Sequence, residues 1–201
     1  DLFFENNGNG VFTEKGVERG IDNYDTKGSH GWVWADLDND GDYDGWNGSY
    51  TKNIPYMNKN DQPGYFVDKF STSGIEDINM STRGVAAFDF DNDGDLDLFG
   101  NSWYATSEEN EFYQNNGDLT FTRIDNGLRA PRGDQGVCDG DIDNDGDIDL
   151  ILSVYQGNLD GRCVEIMENV DGQFVKLENS GVDLCSASYD GTTLWDMNND
   201  G

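Results

Sequence analysis

Aspartate recurs at alternate places in three nine-residue runs: Asp36, Asp38, Asp40, Asp42 and Asp44; Asp89, Asp91, Asp93, Asp95 and Asp97; Asp141, Asp143, Asp145, Asp147 and Asp149. Glycine holds the sixth place of each: Gly41, Gly94 and Gly146. Side chains from alternate residues of a tight loop can converge on one point. The seventh residue can add its backbone carbonyl, and glycine permits the sharp turn. An all-oxygen set of this kind suits a hard cation. About six to eight ligands at flexible geometry favour calcium over the smaller, strictly octahedral magnesium. A fourth run begins as Asp196, Asn198 and Asp200, and the sequence stops at Gly201 before its ninth place. An EF-hand would need glutamate at position twelve, where this chain has Asn47, Gly100 and Leu152.

The runs must be positioned by something that repeats. They start at Asp36, Asp89, Asp141 and Asp196, steps of 53, 52 and 55 residues. A glycine precedes each start by five residues: Gly31, Gly84, Gly136 and Gly191. A hairpin-like segment keeps the same period and is followed in register by Phe12, Phe66, Phe121 or Phe174. Within one period the pattern reads as four short strands. The first enters the loop, as in 84–88, and the second leaves it, as in 97–100 or 149–154. The third and fourth form a hairpin with Asn-Gly or Asp-Gly turn chemistry. No window has a helical period, and the glycine density opposes helices. Four strands per roughly fifty residues is the signature of a β-propeller blade. The expectation is an all-β chain of four-stranded blades: residues 1–201 are one segment, about four blades' worth, that begins and ends mid-blade in a larger propeller, for example one of seven blades. The glycine on each first strand would let neighbouring innermost strands approach closely.

Composition narrows the partners. With 41 acids against 12 bases the formal charge is −29, which opposes binding to nucleic acid or to an anionic membrane surface. No run of about eighteen apolar residues offers a membrane span. Low hydrophobicity with high charge can mean disorder, but 25 aromatic residues (11 Phe, 9 Tyr and 5 Trp) and 26 glycines at repeating places point to an ordered repeat protein. The three cysteines are odd in number. Cys163 and Cys185 could pair in an oxidising compartment, leaving Cys138 buried on a strand. Two glycosylation acceptor patterns occur, at Asn47-Gly48-Ser49 and Asn79-Met80-Ser81.

The loops with their surroundings resemble the FG-GAP/VCBS repeats of integrin α-subunit-like β-propellers over nearly the whole chain. That resemblance implies a calcium ion in the turn between the first two strands of each blade. Its ligands would be the side chains of Asp36, Asp38, Asp40 and Asp44 with the Asp42 carbonyl; those of Asp89, Asp91, Asp93 and Asp97 with the Asp95 carbonyl; and those of Asp141, Asp143, Asp145 and Asp149 with the Asp147 carbonyl. Asp196, Asn198 and Asp200 match the start of a fourth site. The Phe-Gly and Gly-Ala-Pro signatures of animal integrins are missing, which favours a branch closer to microbial secreted propellers.

An aromatic follows each loop's last aspartate by six residues: Tyr50, Trp103 and Tyr155. Such rings could stack on sugars, with Trp46 and Tyr104 extending the patch, or they could pack between blades. Trp32, Trp34 and Trp195 read as core residues of inner strands. His30 is the one histidine, so any Ser-His or Cys-His nucleophile would have to use it; a polar turn is the simpler place for it. Together these features point to a calcium-stabilised extracellular module, secreted or at the cell surface, that binds a glycan or a protein. A role in a secreted polysaccharide-degrading enzyme and a role as a structural subunit of a self-assembling filament or matrix are the alternatives.

Overall fold

The computed structural model describes residues 2–21, 28–50, 52–59, 61–76, 81–103, 109–128, 134–154, 164–182 and 191–195. A hairpin opens the chain, β1 (Phe4–Asn6) with β2 (Phe12–Glu14), followed by the single helical turn α1 (Gly16–Arg19). The first four-stranded sheet is β3 (Ser29–Ala35), β4 (Asp44–Ser49), β5 (Ile54–Lys59) and β6 (Gln62–Asp68), followed by the turn α2 (Phe70–Ser73). The second is β7 (Thr82–Phe88), β8 (Asp97–Ser102), β9 (Glu111–Asn115) and β10 (Phe121–Arg123). The third is β11 (Asp134–Gly140), β12 (Asp149–Val154), β13 (Glu165–Val170) and β14 (Gln173–Lys176). In all three the strands follow one another in sequence order and pair antiparallel. The protein is thus all-β among the described residues, apart from α1 and α2. Those two turns were not expected, because four residues are too few to carry a helical period.

Short antiparallel strands need tight reversals. The β13–β14 turn takes Asp171 at φ 51° and Gly172 at φ 80°, the two positive values a type I′ turn requires. The middle strands carry the burial. Every residue of β4 and of β8 is buried, so both faces are covered and the sheets must pack face against face.

They do so in series. Between the first and second sheets lie Ala35, Leu37, Trp46, Met57, Leu98, Tyr113 and Phe121. A further cluster, between the second and third sheets, contains Phe88, Phe90, Phe99, Phe112, Leu150, Met167 and Phe174. The first strands adjoin: β3 lies beside β7, and β7 beside β11. A Cβ added to Gly31 on β3 would stand 2.7 Å from the Arg83 carbonyl oxygen on β7, so the close approach expected there is present. The fourth strands are keyed differently. Gly20, Gly74 and Gly127, all at positive φ, lie against the backbone carbonyls of Phe66, Phe121 and Phe174 respectively; at Gly74 a Cβ would come 2.5 Å from the Phe121 oxygen.

Several side chains depart from the sequence expectations. Trp46 is fully buried between two sheets and cannot extend a surface patch. Trp34 is partly exposed, stacked on Trp32 at 5.3 Å, and Trp195 is 80% exposed outside any strand. Phe66, Phe121 and Phe174 are buried, whereas Phe12 on the two-stranded hairpin is exposed. Cys138 lies on β11 as a half-buried free thiol, and its sulfur accepts a hydrogen bond from the Leu194 amide at 3.0 Å. Cys163 and Cys185 lie outside the described residues. Asn47 is fully buried within β4, so folding closes that glycosylation acceptor; Asn79 lies outside the described residues.

Candidate metal centres

Each aspartate run folds into the loop that joins the first strand of a sheet to its second. The turn is set by two positive φ values. Asn39, Asn92 and Asn144 stand at 57°, 58° and 62°, and Gly41, Gly94 and Gly146 at 94°, 94° and 99°. Asparagine tolerates the left-handed region better than most side chains, and glycine has no Cβ to resist it.

The first aspartate closes the loop from inside. Asp89 accepts from the Asp93 amide at 3.1 Å and from the Gly94 amide at 2.9 Å, and Asp36 and Asp141 repeat both bonds. The aspartate at the fifth place accepts from the amide of the seventh residue: Asp40 from Asp42 at 3.0 Å, Asp93 from Asp95 at 2.9 Å and Asp145 from Asp147 at 2.9 Å. The ninth aspartate is buried and ties the loop to the sheet. Asp97 accepts from the Phe90 and Asn115 amides at 3.1 and 2.8 Å. Asp44 does the same with Leu37 and Asn58, and Asp149 with Ile142 and Asn169.

Carboxylate oxygens from three residues of each loop come within 4.8 Å of one another: Asp36, Asp38 and Asp40; Asp89, Asp91 and Asp97; Asp141, Asp143 and Asp149. The second and third groups use the ninth aspartate, and the first uses the fifth instead. The seventh residues point their side chains elsewhere. Asp95 and Asp147 accept hydrogen bonds from Asn39 and Asn92 of the preceding loop, at 2.6 and 2.7 Å. Asp42 Oδ1 is buried with no hydrogen-bond partner among the described residues. Asp196, Asn198 and Asp200 lie outside the described residues.

Charge is costly here. Burial pushes the carboxyls of Asp44 and Asp97 up to about 7, against the backbone amides that bond them, and the neighbouring aspartates push the same way. Asp149, Asp38 and Asp91 are raised too, first by burial and then, for Asp38 and Asp91, by the carboxylate two residues on. A hard divalent cation fits this donor set, since it would supply the positive charge that all three groups lack.

Neighbouring loops are joined by amides that the aspartate spacing did not reveal. Asn115 donates to the Leu37 carbonyl in the loop of the preceding sheet, and Asn169 donates to that of Phe90, both at 2.9 Å. A usable signal was present: an asparagine ends the third strand of each sheet or stands one place before its end, at Asn58, Asn115 and Asn169.

At the opposite end of the strands, Tyr50 and Trp103 close on Arg83, whose Cζ lies 5.7 Å from the centre of the Tyr50 ring and 3.9 Å from that of Trp103. Both aromatics are half-buried, and Tyr155 and Tyr104 lie outside the described residues. His30 lies on β3 and not in a turn, its ring 4.3 Å from that of Tyr50. The Ser29 hydroxyl donates to Asn47 Oδ1 at 3.2 Å, so that contact does not link it to His30.

No protein-family model matches the sequence. Cartilage acidic protein 1 from Mus musculus is 32% identical over 168 residues, covering 76% of this chain and 25% of that protein. The Xenopus tropicalis protein of the same name is 29% identical over 117 residues, covering 57% and 18%. This chain therefore spans about a quarter or less of the curated relatives it matches. Among solved structures, an Agrocybe aegerita lectin described as recognising non-reducing terminal N-acetylglucosamine matches with a TM-score of 0.53 at 20% identity, over 93% of this chain and 49% of the lectin. The Vibrio cholerae biofilm matrix protein Bap1 matches with a TM-score of 0.42 at 18% identity, over 76% of this chain and 21% of that one. Among the described residues no helix is long and apolar enough to cross a membrane.

Proposed function

We propose that this chain is a segment of a calcium-stabilised β-propeller of the FG-GAP/VCBS type that recognises a glycan or a protein outside the cell. The observation that carries the proposal is the threefold recurrence of one loop, with carboxylate oxygens gathered within 4.8 Å at the same end of three successive sheets. Four-stranded sheets with adjoining first strands are what blades around a common axis would require. In this reading the carboxylates of each loop hold calcium with the carbonyl of Asp42, Asp95 or Asp147, and the ion braces the turn.

Calcium loops of this kind suit an extracellular setting. Extracellular calcium modules bind at roughly 0.1–1 mM, which is useful only where calcium is abundant. The relatives' name, referring to cartilage, supports the same setting. Glycan recognition is carried over from the lectin of similar fold, as a property of that protein extended to this one. Two measurements test the reading. Calorimetric titration should show calcium binding well ahead of magnesium, and a glycan array probed with the calcium-loaded protein should give signals that chelation removes. Absence of calcium binding would refute the metal assignment, and a blank array would refute glycan recognition.

A further inference from the structure

Arg83 is the second residue of β7, so it sits at the strand end away from the aspartate loops. Tyr50 follows β4 and Trp103 follows β8, which places the two rings at matching points of successive sheets with Arg83 between them. Its Nη2 donates to the Tyr50 hydroxyl at 3.3 Å. Its Nε is buried and has no acceptor among the described residues. An arginine fork lying over the Trp103 ring and tied to the Tyr50 hydroxyl has lost much of its freedom before any ligand arrives.

The charge environment is what sets Arg83 apart. Acids outnumber bases 41 to 12 in this chain, and the other described arginines are ion-paired: Arg19 with Glu5, and Arg123 with Glu76 and Glu109. Among the described residues no carboxylate pairs with Arg83. Nε is sealed from solvent and Nη2 already bonds Tyr50, so a ligand would meet the Nη1/Nη2 end of the fork, where a planar oxyanion is taken by two parallel hydrogen bonds. His30 of β3 packs its partly buried ring 4.3 Å from that of Tyr50, and this burial and the Arg83 charge hold its pKa below the ordinary value. Near neutral pH it is therefore an uncharged imidazole, able to donate or accept a sugar hydroxyl bond. A formal charge of −29 repels anions at long range, so an anion held here would rest on the short-range contacts of this fork.

Resting on the recognition reading above, we propose that Arg83, framed by Tyr50 and Trp103 with His30 at its edge, is the receptor for the carboxylate of an acidic sugar. The aromatic rings fix the fork, and the histidine reads a hydroxyl of the same residue.

The test uses the calcium-loaded chain and four probes in calorimetric titration: a glucuronate-terminated trisaccharide, its methyl ester, an N-acetylglucosamine-terminated trisaccharide, and an aspartate-rich peptide. The uronate should bind, and its ester should bind at least roughly tenfold more weakly. Arg83→Lys keeps the charge but loses the planar fork and its contact with the Trp103 face, so it should cost the uronate a similar factor. Its melting temperature, measured alongside, should stay close to that of the parent. Equal binding of acid and ester, unchanged binding by R83K, or no uronate binding up to about 10 mM would each overturn the proposal. Tighter binding of the peptide than of the uronate would overturn the sugar assignment. Binding of the N-acetylglucosamine probe that R83K leaves intact, without uronate binding, would overturn this site alone and leave glycan recognition standing.

Discussion

Asn39 donates its side-chain amide to a carboxylate oxygen of Asp95 at 2.6 Å, across 56 residues of chain. Asn92 repeats the bond to Asp147 at 2.7 Å. Each aspartate occupies the seventh place of its loop, where the backbone carbonyl would face the ion, so one loop holds the next loop's ligand in position. Asn92→Ala should weaken calcium binding at the third loop by several-fold, given that a charge-assisted bond at a partly exposed site is worth about 1 kcal/mol. Direct calcium titration with the three sites fitted separately checks it; an unchanged third constant would show that the amide positions nothing.

Removing calcium should destabilise the whole chain. At about 1–2 mM ion, and with the tighter end of the extracellular range, each site contributes on the order of 1.5 kcal/mol. Three sites would then shift the melting temperature by roughly 10 °C in a domain of this size. A thermal scan with and without chelator measures it, and coincident curves would remove the ions from the stability of the fold.

Phe112 ties two sheets together. Its ring meets Phe90 at 4.7 Å, Phe88 at 5.9 Å and Phe174 at 6.1 Å, and the side chain is buried. Phe112→Ala should cost about 3–5 kcal/mol through lost burial and the cavity left behind. Denaturant unfolding in saturating calcium would show this as a lower midpoint with an unchanged slope.

Glu111 gives the fold a pH dependence of known sign. Its carboxyl is buried and pushed up to about 7 by desolvation, against the Asn53 amide bonded to it at 3.0 and 3.1 Å and against the Arg123 charge. In the unfolded chain the same group titrates near 4.5. Between those values the folded state keeps a proton that the unfolded state has released, so stability falls as pH rises through the window. The difference is on the order of 3 kcal/mol at most. Denaturant unfolding of the parent and of Glu111→Gln at about pH 5 and about pH 8 separates this group from the rest: the parent should lose more stability than the variant on going to the higher pH. Parallel losses would exclude Glu111 as the cause.

The sequence revealed most where chemistry repeats. Aspartate spacing located the three loops, and turn residues located the hairpins, because both depend on neighbours in the chain. What it hid depends on neighbours in space. Trp46 and Trp195 carry the same side chain, yet one is sealed between sheets and the other lies open; no local pattern distinguishes them. Arg83 has no motif around it. Its character comes from Tyr50 and Trp103, which follow strands of two sheets, and from the absence, among the described residues, of an acid paired with it.

The close approach of Gly20, Gly74 and Gly127 to Phe66, Phe121 and Phe174 has an evolutionary side. At these three joints a unit of about fifty residues offers a glycine socket to the plug formed by the fourth strand of the next, and the contact is backbone against backbone. Copying or deleting a whole unit in the gene would recreate the same joint at the new boundary, whatever had happened to the side chains on the outer surface. Such a chain can change its length in single steps, while an insertion of half a unit would leave a plug with no socket.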